Sequence, residues 1–336
     1  MSDAVFADPA PMRRAAVRCA ALALACAALA GCGGGGGTAA VPPPPAGEPT
    51  LAQRTAAAGT TARGNAACTD IGSFYWEIGD RNAALASGSI GGVTASTRMA
   101  IASASKWVYS SYWVQRQGGV LTAEDVKFFN FRSGYTKFSS CIGTGTVQEC
   151  LDSGTNGEFV PATENKFDYG GGHMQKHAAL NGLGALDSAA LTTEVRRLLG
   201  TEIGITYTSP QLAGGAFSNA TEYARLLRKI VSGNLRMREA LGTFPVCVDP
   251  ATCAEAIFTP SPRGEQWHYA IGHWVEDDPG VGDGAFSSPG AFGFYPWIDA
   301  SKTWYGVLAR ENLGGTYESI ACGRLIRKAW LTGVAQ

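Results

Sequence analysis

Short apolar runs and longer amphipathic ones follow one another along this chain in a fixed order. "FYWEIG" (residues 74–79) and "ASTRMAIAS" (residues 95–103) are brief and bounded by Gly, Ser and Asn, the pattern of strands. From Ser103 onward, "SKWVYSSYWVQRQ" sets its apolar residues on one side at helical spacing and runs into Gly118–Gly119, which predicts a helix that stops there. "TAEDVKFF" predicts another, with Thr122 as its cap. Residues 130–170 carry Gly, Ser and Cys without a period and read as loop-rich. "SAALTTEVRRLLG" and "NATEYARLLRKIVSG" are the clearest amphipathic helices, with Ser188 and Asn219 as caps. Strand patterns return in "QWHYAIGHWVE", "FGFYPWID" and "TWYGVLARE", and "TYESIACGRLIRKAWL" predicts a closing helix. Strands at both ends with helices between them imply one sheet assembled from distant segments and a mostly helical insertion, an α/β (α+β) arrangement.

Composition sharpens this picture at the N-terminus. Arg13, Arg14 and Arg18 precede "CAALALACAALA", an apolar run too short to span a bilayer comfortably, and "LAGC" ends it at Cys32. The small residues before a cysteine resemble a bacterial lipobox. The resemblance implies an export signal over residues 1–31, lipidation of Cys32, and a membrane-anchored protein of the periplasm or cell surface. A plain secretory signal with a chance cysteine is the alternative. "GGGGGTAAVPPPPAG" (residues 33–47) is flexible and then stiff, so residues 32–60 are expected to form a tether and residues 61–334 the folded domain. Net charge is −1 with no basic block, which leaves nothing to hold a nucleic acid.

Six cysteines follow Cys32: Cys68, Cys141, Cys150, Cys247, Cys253 and Cys322. An even count in an exported chain favours disulfides. Fifteen pairings exist for six cysteines. Cys141–Cys150 and Cys247–Cys253 are the natural local choices, leaving Cys68 with Cys322. The spacings contain no CxxC and do not suit zinc.

"SASK" places Lys106 three residues after Ser103, on one helix face. The Ser103 hydroxyl would sit near free N–H groups of the first turn. Trp107, Tyr109, Tyr112 and Trp113 predict a poorly solvated setting for Lys106, which lowers a lysine pKa and lets the amine take a serine proton. Alone, a Ser-x-x-Lys tetrapeptide is common by chance.

Its companions make it specific. "IASASK" resembles the nucleophile motif of the serine β-lactamase and penicillin-binding-protein superfamily, particularly its class C and esterase branch. "FVPATENKFDYGGGHM", "SPQLAGGAFSNATEYARLL", "WHYAIGHWV" and "SSPGAFGFYPWIDASKTWYGVLARE" resemble that family's later segments in the right order, from about Cys68 to Trp330. The resemblance implies a serine β-lactamase-like fold: an antiparallel sheet flanked by helices, with an inserted helical subdomain. It implies that Ser103 is the nucleophile, that Lys106 and Tyr169 move the proton, and that the N–H groups of Ser103 and Ala291 form the oxyanion hole. A phenol beside a lysine ammonium is expected to have its pKa pulled down. Gly171, Ser288 and Gly290 fall at substrate-binding positions, with Gly290 letting substrate approach the strand.

Two departures redirect the substrate. Gly171 stands where the family has asparagine, and Ser288-Pro289 stands where it has a cation followed by a hydroxyl. A carboxylate without its cation loses a charge-assisted bond of roughly 1.5–3 kcal/mol. The expected substrate is therefore a small neutral ester or amide, with no cofactor and no metal. A β-lactamase or D-Ala-D-Ala peptidase, or a binding lipoprotein with a decayed site, are the alternatives, and Arg310 is a substitute cation to consider. His173 and His177 are spaced i, i+4, but no glutamate or third ligand accompanies them. No G-x-S-x-G occurs to pair with His268 or His273 as an α/β-hydrolase triad.

Overall fold

The computed structural model describes residues 47–336, so the export signal expected over residues 1–31 and Cys32 lie outside the described residues. The chain opens with α1 (Leu51–Gly64) and the single turn α2 (Ala66–Thr69). Thr50 and Gln53 form a reciprocal capping box that satisfies free N–H groups and starts α1. Residues 51–60 are thus helix and not tether. Alanine-rich sequence resembles a linker, but alanine is also the best helix former, and Ala57, Ala58 and Ala62 are buried here.

Strands β1 (Phe74–Gly79) and β2 (Ala84–Ile90) form a hairpin, and β3 (Met99–Ala100) is only two residues long. The strand predicted over residues 95–103 is shortened because Thr94 and Thr97 bond each other in a turn. The helical insertion follows: α3 (Ser105–Arg116), α4 (Ala123–Phe129), α5 (Val147–Asp152), the short β4 (Phe167–Asp168), α6 (Gly172–Ala178) and α7 (Ser188–Leu199). Thr122 caps α4. Asp187, and not Ser188, caps α7, its carboxylate accepting the Ala190 N–H at 2.8 Å. Next come β5 (Thr206–Tyr207), β6 (Ala216–Ser218), α8 (Ala220–Val231) capped by Asn219, and α9 (Met237–Ala240). Strands β7 (Val246–Cys247), β8 (Ala256–Phe258), β9 (His268–Ala270), β10 (His273–Glu276), β11 (Ala285–Ser287), β12 (Tyr295–Ile298) and β13 (Tyr305–Ala309) lead to α10 (Thr316–Thr332).

Eight strands form one antiparallel sheet in the order β2-β1-β13-β12-β11-β10-β9-β7. Its first and last strands in sequence are neighbours, so the sheet closes only after the helical insertion has been made. Side chains alternate across a strand, and the register sorts them. Tyr305 faces α8, where Arg228 donates to its hydroxyl, whereas Tyr295 pairs with Leu308 on the opposite face and packs on Gly323 of α10. Helices therefore cover both faces. On the insertion side α3 is buried from Ser105 to Val114, which makes it the central helix of that half. Cys68–Cys322, Cys141–Cys150 and Cys247–Cys253 are joined, with Cα separations of 4.8, 4.9 and 6.2 Å, within the span a disulfide bridges. No described helix is long and apolar enough to cross a membrane.

Candidate active site

Between β3 and α3 the chain makes a tight turn. Ala102 adopts φ 43°, a left-handed conformation that strains a residue bearing a Cβ, and Ala102–Ala104 form a 3₁₀ turn. Ser103 thus sits on a sharp turn just ahead of α3. Three remote elements hold that turn: the Tyr223 hydroxyl donates to the Ala104 carbonyl at 2.8 Å, Ser288 Oγ donates to the Ser103 carbonyl at 3.2 Å, and Ser105 Oγ accepts the Ala216 N–H at 3.2 Å.

Lys106 lies one turn deeper and is only 5% exposed. Its Nζ is 2.9 Å from Ser103 Oγ and donates to the Ala213 carbonyl at 2.9 Å. Burial lowers its pKa to about 7, since the ammonium would lose its hydration there. Tyr169 follows β4 at the edge of the insertion, its ring centre 4.8 Å from Lys106 Nζ. The ring stacks on Trp274 at 5.2 Å and meets Phe131 and Tyr269 edge-on. Burial pushes the Tyr169 phenol up to about 12, against hydrogen bonding with the Ser103 and Trp274 side chains. This reverses the expected downward pull. A desolvated lysine that is half neutral near pH 7 offers little charge to stabilise a phenolate, so desolvation of the phenol wins.

Ser103, Tyr169 and Ala291 open onto one cavity of 430 Å³. Trp267, Trp274, Pro289, Thr316, Tyr317 and Ile320 supply much of the rest of its wall, and no charged side chain among the described residues lines it. The backbone N–H groups of Ser103 and Ala291 make no backbone hydrogen bond among the described residues. Gly171, Ser288 and Gly290 are not on the cavity wall. Ser288 instead braces the turn that carries Ser103. At Gly290 a Cβ would meet the Ile101 carbonyl at 2.3 Å, so the missing side chain admits the protein's own backbone and not a substrate. At Gly171 a Cβ would meet the Phe138 ring at 2.9 Å. Arg310 is buried beneath Gly293 and Gly315, behind the wall, and its Nη1 has no partner among the described residues.

No histidine among the described residues lines the cavity. His177 joins Tyr109 at 2.7 Å to Asp125 at 2.9 Å, a buried link between α3 and α4. His173 bonds Ser133 and the Asp168 carbonyl, and His273 bonds Gly242 and the Ile271 carbonyl. Sequence reasoning left Ala213, Trp267, Trp274, Tyr317 and Ile320 without a place in the site. The two tryptophans lie in the predicted strand pattern, but Trp274 sits between buried His273 and half-buried Val275, so no alternation there marks a cavity face. The Ala213 contribution is a carbonyl and has no sequence signal.

No protein-family model matches the chain, and no curated protein matches it. Solved structures do. A Bacteroides dorei protein assigned as a β-lactamase is 20% identical with a TM-score of 0.58, over 77% of this chain and 93% of that one. A D-stereospecific amidohydrolase from Streptomyces is 11% identical with a TM-score of 0.55, over 85% of this chain and 100% of that one. A mutant simvastatin synthase from Aspergillus terreus is 12% identical with a TM-score of 0.55, over 84% of this chain and 94% of that one. At such identities the likeness is one of fold: this chain shares the architecture of these solved structures.

Proposed function

We propose that this protein is a serine hydrolase that cleaves an uncharged ester or amide through an acyl-enzyme on Ser103. The observation that carries the reading is the 2.9 Å approach of Lys106 Nζ to Ser103 Oγ, in surroundings that bring the lysine pKa to about 7. A neutral amine at that distance takes the hydroxyl proton as the oxygen attacks the carbonyl carbon. The N–H groups of Ser103 and Ala291 stabilise the oxyanion. As the tetrahedral species collapses, the bond to the leaving group breaks. Tyr169 is a proton donor here and not a phenolate: it hands its proton to the departing alkoxide or amine and is reprotonated from Lys106. Water then repeats the sequence on the acyl-enzyme and frees the acid and Ser103.

A cavity wall without charge and rich in Trp, Tyr, Ile and Leu supports neutral substrates with an apolar acyl or leaving group. The amidohydrolase among the fold neighbours supports the hydrolase class. The test uses residues 47–336 with a fluorophosphonate probe and a panel of p-nitrophenyl esters, linear amides and β-lactams. Wild type is expected to label and to turn over neutral esters, and Ser103→Ala to do neither. Labelling that persists in Ser103→Ala, or turnover confined to β-lactams, overturns the reading.

A further inference from the structure

Tyr169 is followed by three glycines, and the structure explains why. A Cβ at Gly170 would meet the Thr136 carbonyl at 2.0 Å, and one at Gly172 would meet the Lys137 and Tyr135 carbonyls at 2.5 and 2.6 Å. With the Phe138 ring against Gly171, the segment from Tyr135 to Phe138 lies directly on this run. No side chain of residues 170–172 is available to orient the phenol or the lysine. The placement of Tyr169 must come from the chain ahead of it.

That chain is held at successive peptide groups: the Phe167 N–H donates to the Glu255 carbonyl at 2.6 Å and the Asp168 N–H to the Phe131 carbonyl at 3.1 Å, and the peptide nearest the phenol is held on both sides. The peptide between Asp168 and Tyr169 has its N–H donated to the Phe258 carbonyl at 3.1 Å, and its carbonyl lies 3.0 Å from His173 Nε2. A carbonyl only accepts, so Nε2 carries the proton, and the neutral ring must then accept at Nδ1. There Ser133 Oγ lies at 2.6 Å and donates. Both nitrogens are thus used in one tautomer. The ring is fully buried and stacked on Phe131 at 5.0 Å, and burial holds its pKa down to about 3, so the neutral form persists. Phe131 in turn meets the edge of the Tyr169 ring.

We propose that His173 is a positioning residue for proton donation by Tyr169. Through Ser133 and the Asp168 carbonyl it fixes the peptide plane from which the phenol projects. This rests on the reading of Tyr169 as leaving-group donor. It concerns geometry alone and needs no change in the protonation of His173 during turnover.

The test compares kcat/KM on ethyl and p-nitrophenyl phenylacetate, which share an acyl group but differ in how much the departing oxygen needs a proton. Tyr169→Phe should lose about tenfold or more on the ethyl ester beyond its loss on the p-nitrophenyl ester. His173→Phe keeps the ring and its stacking but deletes both polar atoms, and is expected to show the same leaving-group pattern. The double variant should be no worse than Tyr169→Phe alone. His173→Gln, which restores a donor near the Nε2 position, should recover most of the ethyl-ester activity. Should His173→Phe not fold by circular dichroism, Ser133→Ala, which frees one side of the ring, should give the same pattern in weaker form. Equal losses on the two esters, or losses additive with Tyr169→Phe, overturn the positioning role and leave the donor reading standing. A Tyr169→Phe variant without leaving-group dependence overturns the donor reading itself, and the inference with it.

Discussion

Lys106 is the residue at which function and stability pull apart. Its folded pKa of about 7 lies below its ordinary value of 10.5, so between those values the unfolded chain binds a proton that the native one does not. Native stability therefore rises as pH climbs from about 7 toward 10.5, and the cost of burying this amine is fully present below 7. Under the proposed mechanism activity has the same sign, because only a neutral amine can accept the Ser103 proton. The rate should climb through pH 7 and level off above it. Lys106→Met fills the same volume without the amine. It should lose turnover by a factor of about 10² to 10⁴ while gaining roughly 1–3 kcal/mol in denaturant unfolding near neutral pH. A variant that is both inactive and less stable would mean that the lysine is held by contacts it needs and is not a tolerated cost.

Among the elements, α10 shows how a helix can be anchored by charge inside a sheet. Arg324 Nε and Arg327 Nη2 reach Glu276 Oε2 of β10 at 2.9 and 2.8 Å, and the Tyr295 hydroxyl of β12 donates to Oε1 at 2.7 Å. Burial alone would raise the Glu276 carboxyl, but Arg327 and then Arg324 pull it down to about 2. The folded pKa is depressed, so this stability is present above the ordinary carboxylate range and is lost as pH falls toward 2. Glu276→Gln should remove on the order of 3 kcal/mol at neutral pH and flatten the acid-unfolding profile below pH 4.5. An unchanged acid profile would mean that other carboxylates carry the acid sensitivity.

Such pairings mark the limit of what the linear pattern reveals. The elements themselves were legible: Thr122 and Asn219 announce their helices, and "FYWEIG" and "TWYGVLARE" announce strands that prove adjacent in the sheet. Ser103 and Lys106 were legible because a helix turn converts spacing in sequence into contact in space. Contacts made across the sheet were not, since nothing near Glu276 points to arginines some fifty residues on. The glycines at 171 and 290 misled for a related reason: an absent side chain records that something comes close, but not what comes close. In both places it is the protein's own chain.

At the scale of the whole molecule, the sheet brings β1 beside β13, and α1 lies along α10. The Cys68–Cys322 bond spans 254 residues of sequence and encloses nearly the entire domain. A long closed loop removes much freedom from the unfolded chain, so the Cys68→Ala/Cys322→Ala double variant should lose roughly 2–5 kcal/mol, read by thermal unfolding, with ester turnover retained at room temperature. Loss of turnover without loss of stability would mean that the clamp shapes the cavity directly.

The same closure leaves Gln336 donating its N–H to Thr61 Oγ1 at 2.9 Å and Gly333 packed against Pro49. The two ends of the domain are neighbours. A few added residues would splice Gln336 to Glu48, and the acidic turn at Asp278–Gly282 offers a surface place to cut new ends. Such a circular permutant would present its termini beside β10 and β11, with the turn that carries Ser103 uncut.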